Sequence, residues 1–332
     1  MKTIVTGGGG FLGRFVCRKL RDEGHSVTIL GRGHYEFAER EKFPVITADI
    51  SDGENLQKAF QGFDEVHHIA ARTGISVFRE PYFKTNVLGT ENVVKACLRN
   101  GVGKLVFTSS PSVIFGGSDQ QMLIESAPYP EKYLSCYSET KALAERIVLA
   151  ANQPGKLLTV ALRPHLIWGP EDTNLIPRLL ERAAKKKLFT VGNGKNMADV
   201  THVENVAYAH LLASRKLTEG SAICGKAYFI TNGEPVNLWD FINRIITGMG
   251  HPAVARKMPL SAAYCIGFAM ESVYRALGIR SEPLMTRFLA LQLATSHCYS
   301  IEAAQRDLGY KPVVSVDAGL ASLIEHLRKK TL

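Results

Sequence analysis

The stretch Thr3-Ile4-Val5-Thr6-Gly7-Gly8-Gly9-Gly10-Phe11-Leu12-Gly13-Arg14-Phe15-Val16-Cys17-Arg18-Lys19-Leu20 decides the fold. A short β-branched run ends directly in glycines, and the chain then changes period. Leu12, Phe15, Val16 and Leu20 recur at i, i+3, i+4 and i+8, one apolar face of a helix, with Gly24 placed to cap its C-terminus. The order is strand, glycine turn, helix. Gly7 suits the tight turn, Gly10 lets backbone approach a pyrophosphate, and Gly13 lets helix and strand pack closely. A helix that starts on such a turn offers its unpaired N–H groups to phosphate. Thr6, Gly7, Gly10, Phe11, Leu12 and Gly13 are therefore the candidate dinucleotide cradle.

Outward from this unit the same alternation continues. Val27–Leu30, Val45–Thr47, Val66–Ile69, Leu105–Ser109 and Thr159–Arg163 read as buried strands of a parallel sheet, with helical segments between them. The fold class expected is α/β, a doubly wound parallel Rossmann sheet with a smaller, interwoven C-terminal substrate-binding lobe. Residues 1–165 are assigned to the nucleotide-binding domain. Residues 166–332 form mainly the lobe, with about 196–232 returning to the sheet, where a strand is expected at Tyr228–Thr231.

The chain has 332 residues, 45% hydrophobic and 21% charged, which excludes a disordered or disulfide-scaffold protein. Its six cysteines contain no C-x-x-C pair, so neither a zinc site nor a dithiol is expected. The start, MKTIVTGGGG, lacks the apolar core of a signal peptide, and the longest charge-free runs, Met258–Met270 and Phe288–Ile301, fall short of the ~20 residues of a spanning helix. A cytoplasmic location is the expectation. The net charge of +9 favours anionic ligands in general. Basic segments interleaved with aromatics are missing, so nucleic acid is not expected as a partner.

Cofactor choice is read at the end of the second strand. An NAD site usually places Asp or Glu there to accept from ribose hydroxyls, whereas here the strand ends Leu30-Gly31-Arg32. Arg32, assisted by Arg14, can pair with a 2′-phosphate, so NADPH is expected and NADH is the alternative. Asp49 and Ile50 are placed to receive the adenine.

A second pattern is Tyr137-Ser138-Glu139-Thr140-Lys141, preceded by Thr108-Ser109-Ser110 at a strand end. Tyr and Lys at i and i+4 share one helix face, which brings an ammonium near a phenol and is expected to lower the phenol's pKa. A tuned phenol can give a proton to a carbonyl as hydride arrives.

With both patterns in hand the sequence resembles the extended short-chain dehydrogenase/reductases. The likeness runs through the glycine turn, His68-Ile69-Ala70-Ala71, Asn86-Val87-Leu88-Gly89, the Ser-Ser pair, Tyr137 with Lys141, Leu162-Arg163-Pro164, and Leu308-Gly309-Tyr310-Lys311-Pro312. The resemblance implies Tyr137 as general acid/base, Lys141 as its tuning partner on the nicotinamide ribose, and Ser110 as the hydroxyl that holds the substrate oxygen. It further implies cofactor contacts at Ala70, Ala71, Asn86, Arg163 and Pro164, and substrate contacts at Ser110, Pro111, Ser112 and His165, without a metal. Asn86 is expected to tie two segments together.

Within the superfamily the 3β-hydroxysteroid dehydrogenase-like branch is most similar. Thr108-Ser109-Ser110-Pro111-Ser112-Val113, Ala161 to Pro170 and Tyr228 to Pro235 resemble the bacterial 2-alkyl-3-oxoalkanoate reductases of olefin biosynthesis, and nearly as well the sterol 4α-carboxylate 3-dehydrogenases. Both imply a hydrophobic substrate with a 3-oxo or 3-hydroxy group beside a carboxylate; Arg32 favours reduction. The rivals are nucleotide-sugar epimerisation, disfavoured by the apolar C-terminal region, and a non-catalytic dinucleotide sensor, which has no need of the Tyr–Lys pair. The apolar residues Ala263 to Leu277 and Leu284 to Leu293 can line a long-chain pocket, pack as ordinary helices, or dock on a membrane or partner enzyme. A homodimer is expected.

Overall fold

The computed structural model describes residues 1–331. Seven strands, β1 (Lys2–Thr6), β2 (Ser26–Gly31), β3 (Val45–Thr47), β4 (Glu65–His68), β5 (Lys104–Thr108), β6 (Leu158–Pro164) and β7 (Lys226–Ile230), form one sheet in the order 3-2-1-4-5-6-7. All six pairings are parallel. The chain winds from β1 outward through β2 and β3, then crosses back to β4. A crevice opens at the carboxyl ends of the strands where the direction of winding reverses, and a doubly wound sheet binds its ligand there.

Helices cover both faces, which is why these strands read as continuous apolar runs rather than alternating ones. α1 (Phe11–Asp22) and α4 (Val203–Lys216) pack on one face, through Val16, Leu20, Val203 and Val206. α2 (Gly89–Asn100) and α3 (Cys136–Ala150) cover the other, through Val93, Val94, Ala144 and Val148. α4 and β7 come from the second half of the chain, so that half returns to complete the sheet. Ahead of α2 the turn Phe83–Leu88 is wound as a π-helix, an i→i+5 irregularity that frequently marks functional sites.

The remaining second-half elements, joined by Gln120–Leu123 from within the 1–165 segment, build a smaller layer. A four-stranded sheet joins Gln120–Leu123, His297–Tyr299, Met197–Ala198 and Val236–Asn237. The apolar stretch beyond Pro259 is two helices, α5 (Leu260–Ala276) and α6 (Arg287–Ala294), which pack on each other. Gly278, at φ +66°, follows the first of them as its stop.

The opening turn depends on a missing side chain. A Cβ on Gly13 would lie 2.6 Å from the Gly8 Cα and closer still to the Gly7 carbonyl oxygen, both of them backbone that cannot swing aside. Gly13→Ala is expected to lower the free energy of unfolding by about 1–3 kcal/mol, the usual range for overpacking. A urea midpoint equal to that of the wild type would show that α1 does not need this contact.

Candidate active site

The reversal point opens into a cleft of about 520 Å³. Gly31, Arg32, Ala48, Asp49 and Ile50 line one end, at the tips of β2 and β3; Thr108, Ser109, Ser110, Tyr137, Lys141 and Pro164 line the other. Gly7, Gly10, Phe11, Leu12, Gly13, Ala70 and Ala71 form the middle. The cleft suits an extended dinucleotide. A Cβ on Gly10 would meet only the Gly7 carbonyl oxygen, at 3.2 Å, and would otherwise project from the start of α1, so glycine keeps this backbone open to a phosphate. At the β2 tip Arg32 is 74% exposed, with Nη1 3.6 Å from an Asp49 carboxylate oxygen, and there is no carboxylate on β2 itself.

The other end carries the reactive groups. Ser135 caps α3, accepting from the Ser138 N–H, and this sets Tyr137 in the first helical turn and Lys141 one turn later. Lys141 is 2% exposed; its Nζ donates to the Thr108 carbonyl oxygen at 2.5 Å and sits 4.0 Å from the centre of the Phe107 ring. Burial pushes its pKa down to about 7, with Glu145 working the other way. Tyr137 departs from the sequence expectation. Burial raises its pKa, a hydrogen bond from Ser110 opposes the rise, and Tyr82 adds to it. Desolvation thus holds the phenol above its ordinary value, and the Lys141 ammonium is turned onto the Thr108 carbonyl.

Several residues expected in the cleft are engaged elsewhere. Arg163 does not line it; its guanidinium makes a bidentate pair with the buried Glu145, Nε to Oε2 at 2.9 Å and Nη2 to Oε1 at 2.7 Å, and Tyr129 donates to the same carboxylate. Burial works against the Glu145 charge, but Arg163 outweighs it and holds the carboxyl below its ordinary value. Asn86 is 2% exposed, accepting from the Arg72 N–H and donating to the Arg72 carbonyl and Thr140 Oγ1, so it does join two segments while remaining behind the wall. Thr6 is bound to His68 Nδ1 at 2.7 Å. Arg14 donates to the Gly9 carbonyl and lies 3.5 Å from Glu171. His165 packs edge-on against His297 and Tyr299, and with Pro111 and Ser112 it is buried beside the cleft rather than facing it.

The apolar C-terminal stretch divides. Ala263, Met285 and Leu293 pack with Val191 and Trp239, while Ile266, Phe268, Val273, Leu277 and Leu284 face outward. Phe288 packs edge-on to Phe115 and, with Cys136, lines a separate hollow of about 20 Å³. Tyr35, Asn174, Leu166 and Ile167 line the cleft without having been expected. Tyr35 had a weak trace in the sequence, since a Cβ on Gly9 or Gly31 would run into its ring and the glycine surplus makes room for it. Among the described residues no group of His, Cys, Asp and Glu could hold a metal ion.

The Lys141 value of about 7 has a consequence for stability. An unfolded lysine keeps its proton to ~10.4, so between these values the unfolded chain binds more protons and folding gains stability as pH rises. The contribution is about 1.4 kcal/mol per pH unit. Lys141→Met is expected to remove this rise in melting temperature between pH 7 and 9; an unchanged slope would place the titration elsewhere.

Comparison with known proteins points the same way as the geometry. Residues 4–260 match the model of the 3-beta hydroxysteroid dehydrogenase/isomerase family. The chain is 44% identical over 325 residues to a 2-alkyl-3-oxoalkanoate reductase of Stenotrophomonas maltophilia (strain K279a), covering 97% of this chain and 98% of that protein. It is 37% identical over 335 residues to the decarboxylating sterol-4-alpha-carboxylate 3-dehydrogenase of Mus musculus, covering 99% and 92%. Among solved structures, gox2253 superposes with a TM-score of 0.79 at 26% identity over 99% of this chain and 98% of that one. MoeE5 in complex with UDP-glucose and NAD shares the fold, with a TM-score of 0.78 at 24% identity over the whole of both chains. The chain thus belongs to the 3-beta hydroxysteroid dehydrogenase/isomerase family and is an NAD(P)-dependent oxidoreductase of the extended short-chain dehydrogenase/reductase type.

Proposed function

We propose that this enzyme reduces the 3-oxo group of a long-chain 2-alkyl-3-oxoalkanoic acid to the 3-hydroxy acid, with NADPH as the donor. The observation that carries this reading is the cleft itself, which brings Ser110, Tyr137 and Lys141 together at one end and presents Arg32, with no carboxylate on β2, at the other. Held along Gly7, Gly10, Phe11 and Gly13, the dinucleotide would supply a hydride to the carbonyl carbon. Ser110 donates to the carbonyl oxygen and orients it toward Tyr137, and the Tyr137 hydroxyl gives its proton to that oxygen as negative charge develops. Lys141, in its ammonium form, stabilises the phenolate left behind. The buried Glu145 favours that ammonium, and Arg163 keeps Glu145 from becoming an unpaired buried charge. NADPH is favoured by Arg32, an exposed guanidinium lining the cleft at a strand tip that lacks a carboxylate.

The sterol reading shares this chemistry up to the direction of hydride transfer, and the 37% identity to the mouse dehydrogenase favours keeping it as the second reading. It requires Tyr137 to accept the proton of a substrate hydroxyl, the reverse of the step above. Ile266, Phe268, Val273 and Leu277 form an exposed apolar strip on α5, and we assign any contact with a membrane surface or partner enzyme to it. No helix among the described residues is long and apolar enough to cross a membrane. A cytoplasmic homodimer completes the proposal.

Stopped-flow absorbance at the nicotinamide band, with a synthetic 2-alkyl-3-oxo acid, checks the reaction. Tyr137→Phe is expected to lower kcat by about 10²–10⁴-fold, the usual contribution of a positioned acid; undiminished turnover would remove Tyr137 from the mechanism. Arg32→Ala is expected to raise the KM for NADPH at least about tenfold, the equivalent of ~1.4 kcal/mol, and to leave NADH unaffected. An equal loss for both cofactors would contradict the 2′-phosphate assignment.

A further inference from the structure

The layer between the sheet and α4 is apolar except for one continuous polar row. Thr3, Glu65, His67 and Thr108 point into it from β1, β4 and β5, and His210 and Ser214 meet them from α4; all are buried. Thr108 Oγ1 lies 3.0 Å from His210 Nε2, and His210 Nδ1 lies 3.0 Å from His67 Nδ1. His67 Nε2 is 3.6 Å from a Glu65 carboxylate oxygen, and Ser214 donates to the other oxygen at 2.8 Å. The row begins at the amino ends of the strands, where His25 meets Thr3 at 2.9 Å, and ends at Thr108 on the lip of the cleft.

Burying two imidazoles and a carboxylate in a layer otherwise built from residues such as Val106, Val206 and Ala209 is costly. Apolar side chains of similar size would serve packing equally well or better. What the row does deliver is a fixed grip on the Thr108 hydroxyl. The same residue's carbonyl, on the last rung of β5, is the acceptor for Lys141.

We propose that His210 and His67, anchored by Glu65, are positioning residues for the reaction: they hold the end of β5 through the Thr108 hydroxyl, and so fix the carbonyl that grips the Lys141 ammonium. The inference rests on Lys141 being the tuning cation of the proposed function. Losing the grip lets the carbonyl drift, and an ammonium in a buried site with a weaker acceptor gives up its proton at lower pH. The charged and titratable groups that face Lys141 are Tyr137 and Glu145 from α3 and His68 from β4; those that face the row are His25 and Lys104. None of these is changed by the variants below.

The test reads Lys141 directly. Side-chain NMR of lysine-labelled protein, with the resonance assigned by its loss in Lys141→Met, gives its titration midpoint in Thr108→Val, Thr108→Ser and His210→Leu. The midpoint is expected to move to lower pH in Thr108→Val and to return in Thr108→Ser. His210→Leu, which cuts the same link from a residue outside the cleft, is expected to reproduce the shift. Where turnover is measured, kcat should fall about tenfold in both, a modest part of what a 1 Å misplacement can cost, with the KM for NADPH within about twofold. A structural role alone would lower the melting temperature and leave the midpoint where it is. A wild-type midpoint in both Thr108→Val and His210→Leu overturns the proposal, and if one variant fails to fold the other decides. A shifted midpoint with full activity in Lys141→Met would instead keep the positioning row and sink the catalytic reading of Lys141.

Discussion

The burial of one ammonium constrains the rest of the site. Lys141 is enclosed by the Phe107 ring, the Thr108 carbonyl and its own helix, and desolvation brings its pKa to about 7. A charge held that weakly responds to each neighbour. Glu145, one turn along α3, supports it; Arg163 reaches from β6 to neutralise Glu145, and Tyr129 completes the carboxylate's contacts. Thr108 is held from the opposite face of the sheet by His210. Two strands and two helices are thereby committed to one side chain, and the crevice of the doubly wound sheet is where they meet.

Tyr137 belongs to the same constraint. Spacing along a helix places Lys141 beside the phenol, but spacing does not say which way the ammonium turns. In the structure it turns onto Thr108, and desolvation holds the phenol above its ordinary value. A general acid must carry its proton before hydride arrives, and a phenol at its ordinary value of ~10 meets that requirement as well. The pair resembles a loaded donor with a weakly held cation ready to stabilise the phenolate, rather than a phenol already lowered toward neutrality.

Much of this was legible from local pattern. The glycine turn, the β-branched runs and the Tyr–Lys spacing each report a constraint contained within a few residues, and the sheet, the cradle and the reactive end follow from them. The misses share a different cause. Arg163 is next to Pro164 on one strand, but its partner Glu145 is on α3, so only tertiary packing shows that it faces away from the cleft. Asn86 and Thr6 are likewise claimed by hydrogen bonds to distant segments, and Arg14 by its own turn and by Glu171. Tyr35 reaches the cleft from a loop whose path no periodicity encodes. The apolar residues past Pro259 carry the same chemistry whether they face a core or solvent, and only the packing of α5 on α6 sorts Ala263 from Ile266.

The central claim is a hydride delivered to the C3 carbonyl of a 2-alkyl-3-oxo acid while Tyr137 supplies the proton. The most direct measurement is mass spectrometry of the product formed from such an acid and NADPH carrying deuterium at the transferable nicotinamide position. The account predicts a 3-hydroxy acid with one deuterium at C3, and none at C3 when the label is only in the solvent. Recovery of unreduced 3-oxo acid, or a product without the label at C3, would contradict it.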